Sequence, residues 1–225
     1  EEIVEHTFDC LCKNDTPDIV LISGDLTYNG ERTSHDEMKA ALKKLQQKGK
    51  RVYVITATHD YTTPRMPTYG IDKNDKYIEV ESVNRTQLLK YYGDFGYNNA
   101  IAKHKSTMSY VAQLADGYRL FALNDDYGDP DCGFSDELMN WVKTEANNAK
   151  RDGQYIIAMT HHPLVPPSPI YAAVAKGDML NEYELRRNQL SDLGFDFVLT
   201  GHTHMHNISY CKIGNKKFYD ISTAA

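Results

Sequence analysis

At 225 residues, 41% hydrophobic and 25% charged with no low-complexity tract, the chain is long enough for one sizeable α/β domain. Its net charge of -6 works against general nucleic-acid binding, because a phosphate polymer is repelled unless metal ions build a local positive site. No apolar run reaches the length of a membrane span, no signal peptide is visible although one could precede residue 1, and the compartment is left open.

Glu1 to Lys13 carries apolar residues at Ile3, Val4, Phe8, Leu11 and Cys12, a helical stripe. Asp15-Thr16-Pro17-Asp18 reads as a turn that launches a strand, Ile19 to Ser23. Ser34-His35-Asp36-Glu37 predicts a capping box that opens a helix closed by Gly49, with His35 at the surface. The basic stretch from Lys43 to Arg51 suits that helix's C-terminal dipole. Val52 to Ile55 is the next strand. Tyr61 to His104 is irregular, with Pro64, Pro67 and the tyrosines Tyr69, Tyr77, Tyr91, Tyr92 and Tyr97. It reads as a substrate-facing cap with a short helix near Thr86 to Tyr92, or equally as a tyrosine-rich packing cover.

Thr107 to Leu114 and Tyr118 to Leu123 predict strands joined at Asp116-Gly117, after which Asn124-Asp125-Asp126 either turns acidic side chains towards a metal site or, on the reading preferred, terminates the second strand. Ser135 caps a helix with Leu138, Trp141, Val142 and Ala149 inward. Tyr155 to Met159 is a strand, Pro163 to Pro169 a proline-rich rim, and Leu180 to Leu193 a helix. Phe197 to Thr200 is the last apolar run before a hairpin, Ile208 to Lys212 and Lys217 to Ser222, turned at Gly214-Asn215. The four cysteines, Cys10, Cys12, Cys132 and Cys211, lack a metal-binding spacing and read as structural thiols. A first helix with no strand before it, and an end directly after a strand, suggest truncation at both ends.

Four apolar runs end in polar ligand chemistry: Gly24-Asp25, Thr58-His59-Asp60, Thr160-His161-His162-Pro163 and Gly201-His202-Thr203-His204. Continuous apolar strands are buried on both faces, and open α/β sheets bind ligands beyond their carboxyl ends. If the last segment stays extended, His202 and His204 point to one side. Convergent carboxylates and imidazoles suit zinc, manganese or iron. His162 is read as a loop or substrate contact.

In order and spacing these motifs resemble the calcineurin-like metallophosphoesterases, from about Pro17 onward. Two departures stand out: Ala57-Thr58-His59-Asp60 replaces the family's Gly-Asn-His-Asp or Glu, and no Asp-x-His motif precedes Asp18. The resemblance implies an αββα sandwich in one domain, two divalent ions (Mn, Fe or Zn), and a phosphorylated small-molecule or phosphodiester substrate. It implies Asp25 and His204 for one metal, and Asp25, Thr58, His161 and His202 for the other. His59 then protonates the leaving group, with Asp60 orienting it. The implied reaction is phosphoester hydrolysis by a metal-activated water; the alternative is a degenerate homologue that binds metal or phosphate without turnover.

Overall fold

A computed structural model describes residues 2–14, 16–63, 67–126 and 131–223. Asp15 of the first turn, Pro64 and the final Ala224-Ala225 lie outside them. The fold is mixed α/β, as expected, and the chain divides into two compact units, Glu1–Asn98 and Asn99–Ala225. Among the described residues no helix is long and apolar enough to cross a membrane.

The first unit holds α1 (Glu2–Lys13), β1 (Ile19–Ser23), α2 (Arg32–Gln47), β2 (Arg51–Ile55), β3 (Tyr69–Ile71), β4 (Tyr77–Glu79) and α3 (Leu88–Tyr92). β1 and β2 pair in parallel, Ser23 opposite Ile55, so Gly24-Asp25 and Thr56 to Asp60 leave the same edge. All five β1 residues are only half-buried, whereas Val52, Val54 and Ile55 of β2 are buried, so the expected two-sided burial holds for β2 better than for β1.

α2 starts earlier than the capping box predicts, with Glu31 at its cap and Ser34 inside its first turn. Glu31 forms a bridge with Ser82, and the Arg32 N–H donates to the Glu81 carbonyl at 2.9 Å. A tertiary tether thus outranks the local signal. Contrary to expectation His35 is fully buried, not at the surface, because Tyr91 and Tyr92 pack on its ring. The irregular stretch contains a small antiparallel hairpin, β3 with β4, and the predicted short helix, α3.

The second unit holds β5 (Ala102–His104), β6 (Ser109–Ala115), β7 (Tyr118–Ala122), α4 (Asp136–Arg151), β8 (Tyr155–Met159), α5 (Pro169–Val174), α6 (Tyr183–Asp192), β9 (Phe197–Thr200), β10 (Asn207–Ile213) and β11 (Lys216–Ser222). Its seven strands lie in the order β10-β11-β9-β8-β7-β6-β5. The neighbours β7, β8, β9 and β11 are parallel, with Ala122 opposite Met159, Met159 opposite Leu199, and Ser222 opposite Thr200. Their carboxyl ends therefore form one edge, from which Asn124-Asp125, His161-His162 and His202 all depart. α4 is capped as predicted: the Leu138 N–H donates to the Ser135 hydroxyl at 3.1 Å. Leu138, Val142 and Ala149 pack into a core with Phe121, Ala158, Phe195 and Val198, where the Phe121 and Phe195 rings meet edge-on at 5.1 Å. Trp141 packs against that core while partly exposed.

Candidate functional site

In the first unit the chain leaves β1 through Gly24 and Asp25, both with positive φ (96° and 53°). The glycine adopts this freely; the aspartate does so at a cost that short polar side chains bear best. The His59 N–H donates to the Asp25 carboxylate at 3.2 Å, which joins the two strand ends. Thr58 opens a single 3-10 turn through Asp60.

Asp60 is fully buried. Its carboxylate accepts from the N–H groups of Leu26 (2.6 Å), Thr27 (3.0 Å) and Ala57 (2.8 Å). Each is a main-chain donor at a strand end that has left its ladder and must find another acceptor. The group against the His59 ring is instead the Tyr28 carbonyl, 2.6 Å from Nδ1. The Asp60 carboxylate, for which an orienting role is expected, is engaged by these amides. A carbonyl only accepts, so Nδ1 carries the hydrogen and Nε2 is left for chemistry.

Beneath this turn His35 Nε2 lies 3.0 Å from the Asp60 carbonyl, and Nδ1 accepts from the Tyr92 hydroxyl. Burial pushes the His35 pKa down to about 4, so the ring stays neutral and keeps both bonds.

In the second unit the edge of the sheet brings three histidines together. His161, His162 and His202 each offer a ring nitrogen, all within 4.8 Å of one another. His202 Nδ1 and His161 Nε2 are 3.2 Å apart. Two nitrogens on one tetrahedral ion, with bonds of about 2.0–2.1 Å, sit roughly 3.3 Å apart, so this pair is already at ligand spacing. Imidazole nitrogens that converge in this way suit a borderline divalent cation, and these residues fit one.

Asp125 is the support behind them. Fully buried, it accepts at Oδ2 from the N–H groups of His161 (3.1 Å) and His162 (2.7 Å) and from the Thr160 hydroxyl (2.8 Å). Its Oδ1 faces His162 Nδ1 at 3.1 Å. Burial opposes charge on both partners, but the pairing prevails. The His162 charge and hydrogen bond hold the Asp125 pKa down at about 2, and the Asp125 carboxylate raises that of His162 to about 10. With Nδ1 engaged, Nε2 is the nitrogen His162 has for a ligand, the carboxylate–histidine arrangement common around bound metals.

A second buried carboxylate, Asp220 of β11, accepts from the N–H groups of Leu164 (2.7 Å) and Val165 (3.0 Å) and from the Thr200 hydroxyl. It fixes the segment just past the histidine pair.

The extended geometry expected of residues 202–204 is not observed. His202 (φ 62°) and His204 (φ 52°) both adopt left-handed backbone, which breaks the period-two alternation. His202 turns into the cluster and His204 is exposed. His162, read from the sequence as a loop or substrate contact, lies in the cluster itself. Asp220 and the Tyr28 carbonyl leave no signal in the sequence, and Asp125 shows there only as part of the Asn124-Asp125-Asp126 run, for which strand termination is the preferred reading.

The family described as calcineurin-like phosphoesterase matches residues 2–206 of this sequence. A dimetal phosphatase from Danio rerio has a similar structure, with a TM-score of 0.66 at 11% identity over 99% of this chain and 77% of that one. A purple acid phosphatase, PPD1, from yellow lupin (Lupinus luteus) seeds superimposes with a TM-score of 0.60 at 15% identity, over 93% of this chain and 34% of that one. At these identities the likenesses show the fold alone. No curated protein matches the sequence.

Proposed function

Because the chain belongs to the calcineurin-like phosphoesterase family, we propose that it hydrolyses phosphoesters with two divalent ions of Mn, Fe or Zn type. The observation that carries this reading is the His161–His162–His202 cluster, with nitrogens at ligand spacing and a buried carboxylate behind it. By the family's motifs, Asp25 and His204 would serve one metal, and Asp25, Thr58, His161 and His202 the other. When bound, such ions polarise the phosphoryl oxygens and lower the pKa of a coordinated water.

The chain's own groups divide the remaining work. Asp60 and His35 hold the turn on which His59 rides. His59 keeps one proton at Nδ1 on the Tyr28 carbonyl, so a second proton, held at Nε2, is the one available to a departing alkoxide. Asp125 fixes the backbone of both His161 and His162.

A second reading, metal binding without turnover, draws on the exposed position of His204 and on the Thr58 hydroxyl where the family has an amide. One experiment separates the two. Metal content by emission spectroscopy is followed by hydrolysis of 4-nitrophenyl phosphate and bis(4-nitrophenyl) phosphate, for the chain and for His161→Ala and His202→Ala. Bound metal with turnover, both lost in the variants, supports the hydrolase. Bound metal without turnover supports the degenerate binder, and no metal at all overturns both.

A further inference from the structure

Tyrosines of the first unit differ sharply in exposure. Tyr91 and Tyr92 are buried and pack on His35, as a structural cover would. Tyr28 and Tyr77 are 69% and 74% exposed, far more than rings of that size retain when they serve packing. These exposed rings are not scattered. Tyr28 stands 6.3 Å from the His59 ring, tilted by 38°. The Tyr69 phenol lies beside that of Tyr28, a neighbour that holds its pKa above the ordinary value. Tyr77 meets Tyr69 edge-to-face at 4.7 Å. Aromatic surface therefore runs unbroken from the residue proposed to protonate the leaving group out to the β3–β4 hairpin.

Beside this surface is a cavity of about 370 Å³ lined by Tyr69, Tyr77, Pro67, Ile78, Val80 and Glu79. That is near the lower end of ligand-site volumes and suits one ring system better than a polymer. Tyr69 and Tyr77 are packed on each other too closely to enclose a rounded cation between them, so they offer a face for stacking rather than a cage. Glu79 lines the cavity and Glu31 lies close enough to act on the Tyr69 hydroxyl, which makes the rim unfavourable to a second phosphate or carboxylate. The loop that carries Tyr28 is pinned to the hairpin approach: the Asn29 side-chain amide donates to the Pro67 carbonyl at 2.7 Å, and the Thr68 hydroxyl to the Asn29 carbonyl at 2.7 Å.

We propose that Tyr28, Tyr69 and Tyr77 form a stacking shelf for an uncharged planar aromatic group, a nucleobase or aryl ring, on the leaving-group side of the ester. Its place in a reaction rests on the hydrolase reading above; the shelf as a binding site does not. The ring of Tyr28 serves this site while its main-chain carbonyl holds His59, so loss of the ring leaves that bond available.

Two measurements test the proposal. Adenosine alone, without metal or phosphate, is titrated into the full chain and followed by NMR. Saturable binding is expected, at least tenfold weaker in Tyr77→Ala and restored in Tyr77→Phe; stacking on an aromatic side chain commonly carries effects of this size. The exposure of Tyr28 and Tyr77 makes both alanine variants safe for folding. Separately, kcat/KM is compared for AMP and ribose 5-phosphate, which share the same departing oxygen and differ in the base. AMP is expected to be preferred about tenfold, and the preference to vanish in Tyr28→Ala and Tyr77→Ala. Absence of adenosine saturation, binding unchanged in the variants, or saturation by choline in place of adenosine overturns the shelf. Adenosine binding as described, with AMP, ribose 5-phosphate and both nitrophenyl esters all left intact, leaves the shelf standing and removes the hydrolase reading.

Discussion

Asp60 in the first unit and Asp125 in the second solve the same problem with one difference. In both, strand-end loops turn out of a parallel ladder and leave successive amides in need of an acceptor, and a fully buried carboxylate supplies it: Leu26 and Thr27 for Asp60, His161 and His162 for Asp125. The difference is the second oxygen. On Asp60 it meets another backbone N–H, that of Ala57, which can only donate. On Asp125 it meets the ring of His162, which can donate or accept. A fixed donor ties the site to a carboxylate; a reversible partner leaves room for a neutral amide.

The sharpest way to break the comparison is Asp60→Asn, whose NH2 group must face at least one main-chain N–H. A loss of about 3 kcal/mol is expected, since buried donors left unpaired cost about 1–3 kcal/mol each. Urea denaturation measures it, and amide exchange at Leu26, Thr27 and Ala57 should speed up. A change under about 1 kcal/mol would show that the turn has another anchor.

Asp125→Asn should behave differently. The amide oxygen can keep the Thr160, His161 and His162 donors while NH2 faces His162 Nδ1, so no backbone amide is left unpaired, and the stability lost, about 3 kcal/mol, is that of the charge pair with His162. The ring must then carry its hydrogen on Nε2, the nitrogen needed for a ligand. Metal affinity should fall about 10–100-fold, as when an outer-shell partner is lost. Competition with a chromophoric chelator reads this directly, and unchanged affinity would remove His162 from the ligand set.

Smaller still is Asp220→Asn. Its amide can satisfy Leu164 and Val165 with oxygen and donate to the Thr200 hydroxyl, so under about 1 kcal/mol is expected, against about 3 for Asp220→Ala, by the same denaturation.

The last prediction concerns pH. His35 has a folded pKa of about 4 against an ordinary 6.5, so between these values the unfolded chain binds the extra proton and the first unit loses stability as pH falls. Asp220, raised by burial to about 6 from 3.8, takes up its proton in the folded state first, so the second unit gains stability as pH falls from 6 towards 4. Hydrogen exchange resolved by unit, at pH 6.5 and pH 5, should show opposite trends, and thermal melts of His35→Gln should lose a few degrees of their acid dependence.

What the sequence reveals of the site is set by distance along the chain. The strands that deliver His161 and His202 are legible because Tyr155–Met159 and Phe197–Thr200 are continuous apolar runs. The helix cap at Ser135 is legible because its partner is three residues away. Asp220 acts on amides 56 and 55 residues away and leaves no local pattern, while Asp60 acts on amides 34 and 33 residues away and has only its bond to the Ala57 N–H within local reach. The start of α2 is set by residues 81 and 82, against a well-formed local capping signal, and His35 is covered by Tyr91, Tyr92 and the Asp60 carbonyl, all distant in sequence. The bend at His202 and His204 likewise overrides the alternation that an extended segment would have.

The bond between His59 and the carbonyl of Tyr28 has a consequence for how such a protein can change over time. A main-chain oxygen is present whichever residue occupies position 28, so the tautomer of His59 is insulated from substitution there. The side chain at the same position is exposed, with its ring beside that of His59 and its phenol beside that of Tyr69. Selection can therefore exchange one recognition group for another at residue 28 in a single step without disturbing the proton donor, and a population can explore new leaving groups while the chemistry of their departure is held constant.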